Sequence, residues 1–83
     1  MNAVAKEVSR YLDLPEAERA ARIRHEQQFE TRIRRAGLDA VSWKCTHCRQ
    51  GRITVTAHHS AQGKLLSTSG LCSTPGCLDW GND

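Results

Sequence analysis

Hydrophobic spacing divides the chain into two regimes. Up to Gly37, Val4, Val8, Tyr11 and Leu12 recur at helical spacing, and Ala21, His25, Phe29, Ile33 and Ala36 share a second helical stripe. Beyond Gly37 the period shortens to two, most plainly in Arg52-Ile53-Thr54-Val55-Thr56-Ala57-His58, where β-branched residues alternate with polar ones. The first pattern predicts helices and the second strands.

Residues 2–12 predict a short amphipathic helix. Asp13-Leu14-Pro15-Glu16 then offers an N-cap candidate, an early-turn proline and an acid three residues on, in the manner of a capping box. The run from Glu16 to Ala36 contains no breaker, and Gly37 follows as a C-cap residue. This predicts a helix of about 22 residues, roughly 33 Å long. Its apolar face is thin, with Phe29 and Ile33 as its large members and Ile23 and Ala17 lying elsewhere. Such a face is expected to dock on a partner, on a second copy, or on the short first helix. Strands are expected over 41–44, 52–58 and 65–71, with a turn at 61–64. The fold class is small α+β: N-terminal helices, one of them long, followed by a β-hairpin. The corresponding division is a helical arm over residues 1–40 and a ribbon domain over 41–83.

Four cysteines add chemistry to the second region. Cys45 and Cys48 are spaced C-x2-C, Cys72 and Cys77 are spaced C-x4-C, and 23 residues lie between the pairs. Two close pairs separated by the length of a strand, turn and strand suit one tetrahedral metal ion, each pair sitting on a turn that aims two thiolates at one point. Structural Zn²⁺ is the leading reading, with iron in an S4 shell its main competitor. A redox C-x-x-C accounts for Cys45 and Cys48 but leaves the other pair idle. Two disulfides need an oxidising compartment, whereas residues 1–7 lack the apolar core of a secretory signal, so a cytoplasmic location is expected. Four thiolates close the coordination shell, which leaves no position for substrate or water and points to a structural ion. From residue 43 onward the larger apolar side chains are few, so the metal is expected to be required for folding.

Charge narrows the partners. The formal net charge is +3; four thiolates around one Zn²⁺ lower it by two, so nucleic-acid binding must come from a local patch. On the long helix, Arg19, Arg22, Arg24, Arg32, Arg34 and Arg35 stand against Glu16, Glu18, Glu26 and Glu30. One reading is a solvated helix with ion pairs such as Glu18–Arg22 and Glu30–Arg34. The other takes Arg32, Arg34 and Arg35 as a patch for phosphate or an acidic partner. On the ribbon, Lys44, Arg49, Arg52 and Lys64 are candidate contacts, with Arg49 and Arg52 flanking the first cysteine turn. Trp43 and Trp80 border the metal site, as core residues or as a stacking platform. His47 lies inside the first turn, where its ring is expected to point away from the metal, and His58 and His59 sit near the hairpin tip. No catalytic constellation and no phosphate-binding glycine loop is evident, so the chain is not expected to be an enzyme or to take a small-molecule substrate. No segment is long and apolar enough to span a membrane.

Over residues 43–80, the order C-x2-C, about two dozen residues, C-x4-C resembles the Ogr/Delta zinc-finger family of phage late-transcription activators, with Cys45, Cys48, Cys72 and Cys77 at the ligand positions. Arg52 and the alternation of Thr54 and Thr56 are suggestive of the family's inter-cysteine stretch. The resemblance implies a zinc-dependent regulator of phage or mobile-element origin that touches DNA and host RNA polymerase. Here 44 residues precede the first pair, where the family opens almost directly on it. A zinc-ribbon regulator of transcription is therefore the first functional expectation. A protein-binding adapter or inhibitor, capturing a host protein through the Arg-rich helix without nucleic acid, is the second.

Overall fold

Helix α1 (Glu16–Ala36) is followed by four strands: β1 (Ala40–Lys44), β2 (Arg52–His59), β3 (Leu65–Cys72) and β4 (Asp79–Trp80). These elements are taken from a computed structural model, which describes residue 11 and residues 13–82. Apart from Tyr11, the short helix expected over residues 2–12 lies outside the described residues. The strands form one antiparallel meander in the order β1-β2-β3-β4.

Register explains the two faces of the sheet. Trp43 pairs with Ile53 and Ile53 with Cys72; Val41 pairs with Val55, Val55 with Gly70, and Gly70 with Trp80. Residues directly opposite one another share a face, so these rows form one largely apolar surface. The intervening rows, such as Ser42, Thr54, Leu71 and Asp79, form the other face, where Leu71 is exposed.

Helix α1 covers the apolar face. Phe29 and Ile33 are each 1 % exposed and belong to one core with Ile53, Val55, Ala57, Leu78, Trp80 and the buried cysteines. Phe29 also stacks on Trp43, with centroids 6.0 Å apart and planes at 24°. The expectation that this face finds its partner outside the ribbon is thereby corrected: its partner is the chain's own sheet. The stripe looked thin because charged residues also lie on the packed side. Glu26 is buried and accepts a hydrogen bond from the Tyr11 hydroxyl, which in turn accepts the Asp79 N–H at 3.3 Å. The Thr68 hydroxyl donates to the Glu30 carboxylate at 2.5 Å and accepts the Trp80 indole N–H at 3.2 Å.

The ends of α1 follow local rules in part. Gly37 closes the helix in the left-handed region (φ 67°), its N–H bonded to the Ile33 carbonyl. At the other end the cap residue is Pro15, with no side-chain cap hydrogen bond. The capping box expected from Asp13 is therefore not made. Proline's fixed φ suffices to start the first turn.

Strand β4 was not anticipated, since two residues carry no periodicity. It forms where Trp80 crosses Gly70; a Cβ on Gly70 would overlap the indole ring. At the other edge, hydrogen bonds from the Ala57 N–H to the Asp39 carbonyl and from the Cys45 N–H to the Gly51 carbonyl bracket the β1–β2 ladder. The backbone groups of Ala40, Ser42 and Lys44 therefore turn outward. The Arg52 guanidinium donates to the Ser42 carbonyl at 2.9 Å and the Ser42 hydroxyl at 3.3 Å, which covers part of that open edge.

If α1 and the sheet share one core, Phe29→Ala leaves a cavity at their junction and lowers stability by about 3–5 kcal/mol. Ile23→Ala, at a position 38 % exposed, changes it by about half a kcal/mol or less. Urea unfolding followed by circular dichroism separates the two variants. An unchanged midpoint for Phe29→Ala contradicts the shared core.

Candidate metal centre

Both cysteine pairs lie at one end of the meander because strands deliver them there. Cys45 directly follows β1, Cys72 ends β3, and Cys77 stands two residues before β4. The first turn is closed by the Cys45 N–H on the Gly51 carbonyl (2.9 Å) and the Arg49 N–H on the Cys45 carbonyl (3.1 Å). Arg49 ends it with φ 63°, a left-handed conformation uncommon outside glycine. The second turn is held by the Cys72 N–H on the Leu78 carbonyl (2.9 Å) and the Cys77 N–H on the Thr74 carbonyl (3.2 Å). The Ser73 N–H reaches the Arg52 carbonyl at 2.9 Å and ties one turn to the other.

The sulfurs converge. All four Sγ atoms lie within 4.8 Å of one another, with Cys45–Cys77 and Cys48–Cys72 at 3.7 Å each, and none of the four is in a disulfide. A tetrahedron with metal–sulfur bonds of about 2.3 Å has edges of about 3.8 Å. The closest sulfur pairs join one turn to the other, as a shared ion requires. Among the described residues no other group of three or more His, Cys, Asp or Glu side chains gathers in this way.

Neighbouring donors point at the sulfurs. The Gly51 N–H lies 3.4 Å from Cys48 Sγ, the Thr74 N–H 3.5 Å from Cys72 Sγ, and the Thr74 hydroxyl 3.2 Å from Cys48 Sγ. His47 Nδ1 lies 3.3 Å from Cys77 Sγ. This corrects the expected outward orientation of His47, whose ring supports a sulfur from outside the set of four. His25 Nδ1 meets the Thr46 hydroxyl at 2.8 Å, and the His25 and His47 rings meet edge to face at 5.3 Å. Burial, with the nearby His47, Arg24 and Arg49, holds His25 below its ordinary pKa.

Arg22 belongs to this site although its spacing predicts a surface pair with Glu18: its guanidinium donates to the Gly76 carbonyl at 2.6 Å and the Cys77 carbonyl at 2.9 Å. Helix α1 thus grips the second cysteine turn. Glu30 likewise bonds Thr68 in place of Arg34. The expected i,i+4 pairs are replaced by tertiary contacts.

The candidate contact residues separate into groups. Arg32, Lys44 and Arg49 come together with Trp43, Cys45 and Thr46 along a groove between α1 and the first cysteine turn. Arg34 and Arg35 are exposed in the last turn of α1, and Arg34 shares a second groove with Lys64, Glu30 and Leu66 near the hairpin. Arg52 is held on Ser42, away from Arg49's groove. Trp80 is buried in the core and Trp43 is half-buried. His58 and His59 are exposed; His58 meets the Ser69 hydroxyl at 3.0 Å and His59 lies 3.4 Å from the Asp39 carboxylate.

No family model, curated protein or solved structure matches the chain. Among the described residues, no helix is long and apolar enough to cross a membrane.

The thiols differ in acidity. Burial pushes Cys77 well above its ordinary pKa and raises Cys45 as well. The Thr74 hydroxyl, then the N–H groups of Gln50 and Gly51, bring Cys48 down to about 5. Cys45 and Cys77 thus keep their protons through the neutral range and must release them when a cation is bound. At least two protons leave, so affinity for a divalent ion rises with pH and falls as pH falls, by at least about 100-fold per unit. Chelator competition at about pH 6.5 and 7.5 measures this slope. A pH-independent affinity contradicts ligation by these two sulfurs.

Proposed function

We propose that Cys45, Cys48, Cys72 and Cys77 hold one structural Zn²⁺, so that the sheet is a zinc ribbon, and that the protein is a small non-enzymatic regulator. It acts by binding DNA, the host transcription machinery or both, as the resemblance to the phage activators implies. The observation that carries this reading is the closed set of four converging sulfurs. Four thiolates complete a tetrahedral shell, leaving the ion to organise the fold while neighbouring surfaces bind. Zinc supplies cross-linking of the two turns; Arg22, His47 and Thr74 orient the turns that carry the ligands. The adapter reading retains Arg34 and Arg35 as exposed cations. It has lost Phe29 and Ile33 as anchors, since both pack on the sheet.

Native mass spectrometry is expected to give one Zn²⁺ per chain. Cys→Ser at 45, 48, 72 or 77 opens the shell and severely impairs folding, whereas His47→Ala retains stoichiometric zinc. Retained strand dispersion in an NMR spectrum after complete zinc removal contradicts a fold-holding ion. Capture from bacterial lysate with and without nuclease separates the two functional readings. Loss of captured material on nuclease treatment favours nucleic acid, and one nuclease-resistant protein partner favours the adapter.

A further inference from the structure

The groove beside the first cysteine turn has features that the metal does not require. Arg32 stands on its helical wall and Arg49 on its ribbon wall, with Trp43, Cys45 and Thr46 also lining it; Lys44, in the β1 row that pairs with Arg52 on the sheet's other face, borders it at the edge, and the groove measures about 570 Å³. All three cations are exposed, and among the described residues none has a carboxylate within ion-pair distance. Three cations without a carboxylate partner, two lining one concavity and one at its edge, constitute the local patch that a nearly neutral zinc-loaded protein needs in order to hold a polyanion.

The groove is built in advance. The Arg32 guanidinium carbon lies 5.3 Å from the Phe29 ring centroid and 5.7 Å from that of Trp43, so two rings position it. The His25–Thr46 hydrogen bond ties the helical wall to the cysteine turn. Arg49 itself takes the left-handed conformation that ends that turn, and its N–H is bonded to the Cys45 carbonyl. Phe29 supports Trp43 from within, while the indole also lines the groove.

We infer that this groove binds single-stranded nucleic acid, with Arg32, Lys44 and Arg49 on successive phosphates and a base against Trp43. The inference rests on the regulatory reading above and specifies its ligand and location. Shape favours a single strand over a duplex. Direct readout of duplex DNA uses an element that protrudes into the major groove. Here Arg32 and Arg49 line a concavity with Lys44 at its edge, and α1 lies against the sheet. A cationic groove with an aromatic wall suits a flexible strand whose bases are free to stack. Arg34, Arg35, Arg52 and Lys64 lie outside this groove and are not assigned to the strand.

The test is a fluorescence-anisotropy titration of zinc-loaded protein with a labelled oligothymidylate of about 15 nucleotides, beside a duplex of equal length. Salt is varied from about 50 to 200 mM. Single-strand binding is expected to be the tighter, with a log–log salt slope near −2, at about −0.7 for each of three phosphate contacts. Arg32→Gln, Lys44→Gln and Arg49→Asn are each expected to weaken binding about fivefold or more and to flatten the slope by about 0.7. Asparagine is chosen because it tolerates the left-handed backbone. Arg34→Gln is expected to leave affinity unchanged, and unchanged melting temperatures confirm that each variant is folded. Tighter duplex binding, no binding by folded zinc-loaded protein, or full affinity in a folded variant carrying Arg32→Gln, Lys44→Gln and Arg49→Asn together overturns the inference and leaves the zinc reading intact. Protein that carries no zinc yet binds the strand through these three residues supports the groove and overturns the zinc reading.

Discussion

Two cysteine turns must meet at one end of the sheet, and the rest of the structure serves that convergence. The 23 residues between the pairs are a short lead over 49–51, the eight residues of β2, a five-residue connection over 60–64 and the first seven residues of β3, whose eighth is Cys72. Equal strand lengths return the chain to the level at which it departed. Ile53 pairs directly with Cys72, so the row nearest the sulfurs is also part of the apolar core. In the proposed holo state, zinc joins the turns at the end of that core, where Cys45, Cys72 and Cys77 are buried. Structural zinc contributes roughly 10–16 kcal/mol of apparent binding free energy in finger peptides, and that energy is coupled to folding.

Helix α1 completes this arrangement by burying charged residues usefully. Arg22 binds two carbonyls of the second cysteine turn, Glu26 meets Tyr11, and Glu30 meets Thr68. Each bond satisfies groups that would be costly to desolvate alone. Together they fix the helix relative to the cysteine cluster through directional bonds, beside the apolar contacts of Phe29 and Ile33. The groove at the first turn follows from the same placement: with α1 anchored at Arg22 and through His25, Arg32 is carried to within reach of Trp43.

Strong periodicity was legible in the sequence. Arg52 to His58 reads as a strand because branched residues alternate there, and Gly37 reads as a stop because it follows the last helical turn. The cysteine spacing indicated one site, and the four sulfurs do gather. Tertiary substitution of local pairings was not legible. Glu18–Arg22 and Glu30–Arg34 have helical spacing, yet carbonyls and a hydroxyl 38 or more residues away replace those partners. Helical amphipathicity counts apolar residues, so inward-facing Arg22 and Glu26 were invisible to it. Strand β4 depends on the fit of Trp80 over Gly70, a complementarity between residues that no local pattern expresses. The same limit applied to His47, whose orientation depends on where Cys77 arrives from the other end of the ribbon.

X-ray absorption at the zinc edge of protein purified without added metal reads the proposed shell of Cys45, Cys48, Cys72 and Cys77. The expected result is zinc with four sulfur neighbours at about 2.3 Å and no nitrogen or oxygen bound to it. A first shell containing nitrogen, as from His47, or protein without zinc and with its cysteines joined as disulfides, contradicts it.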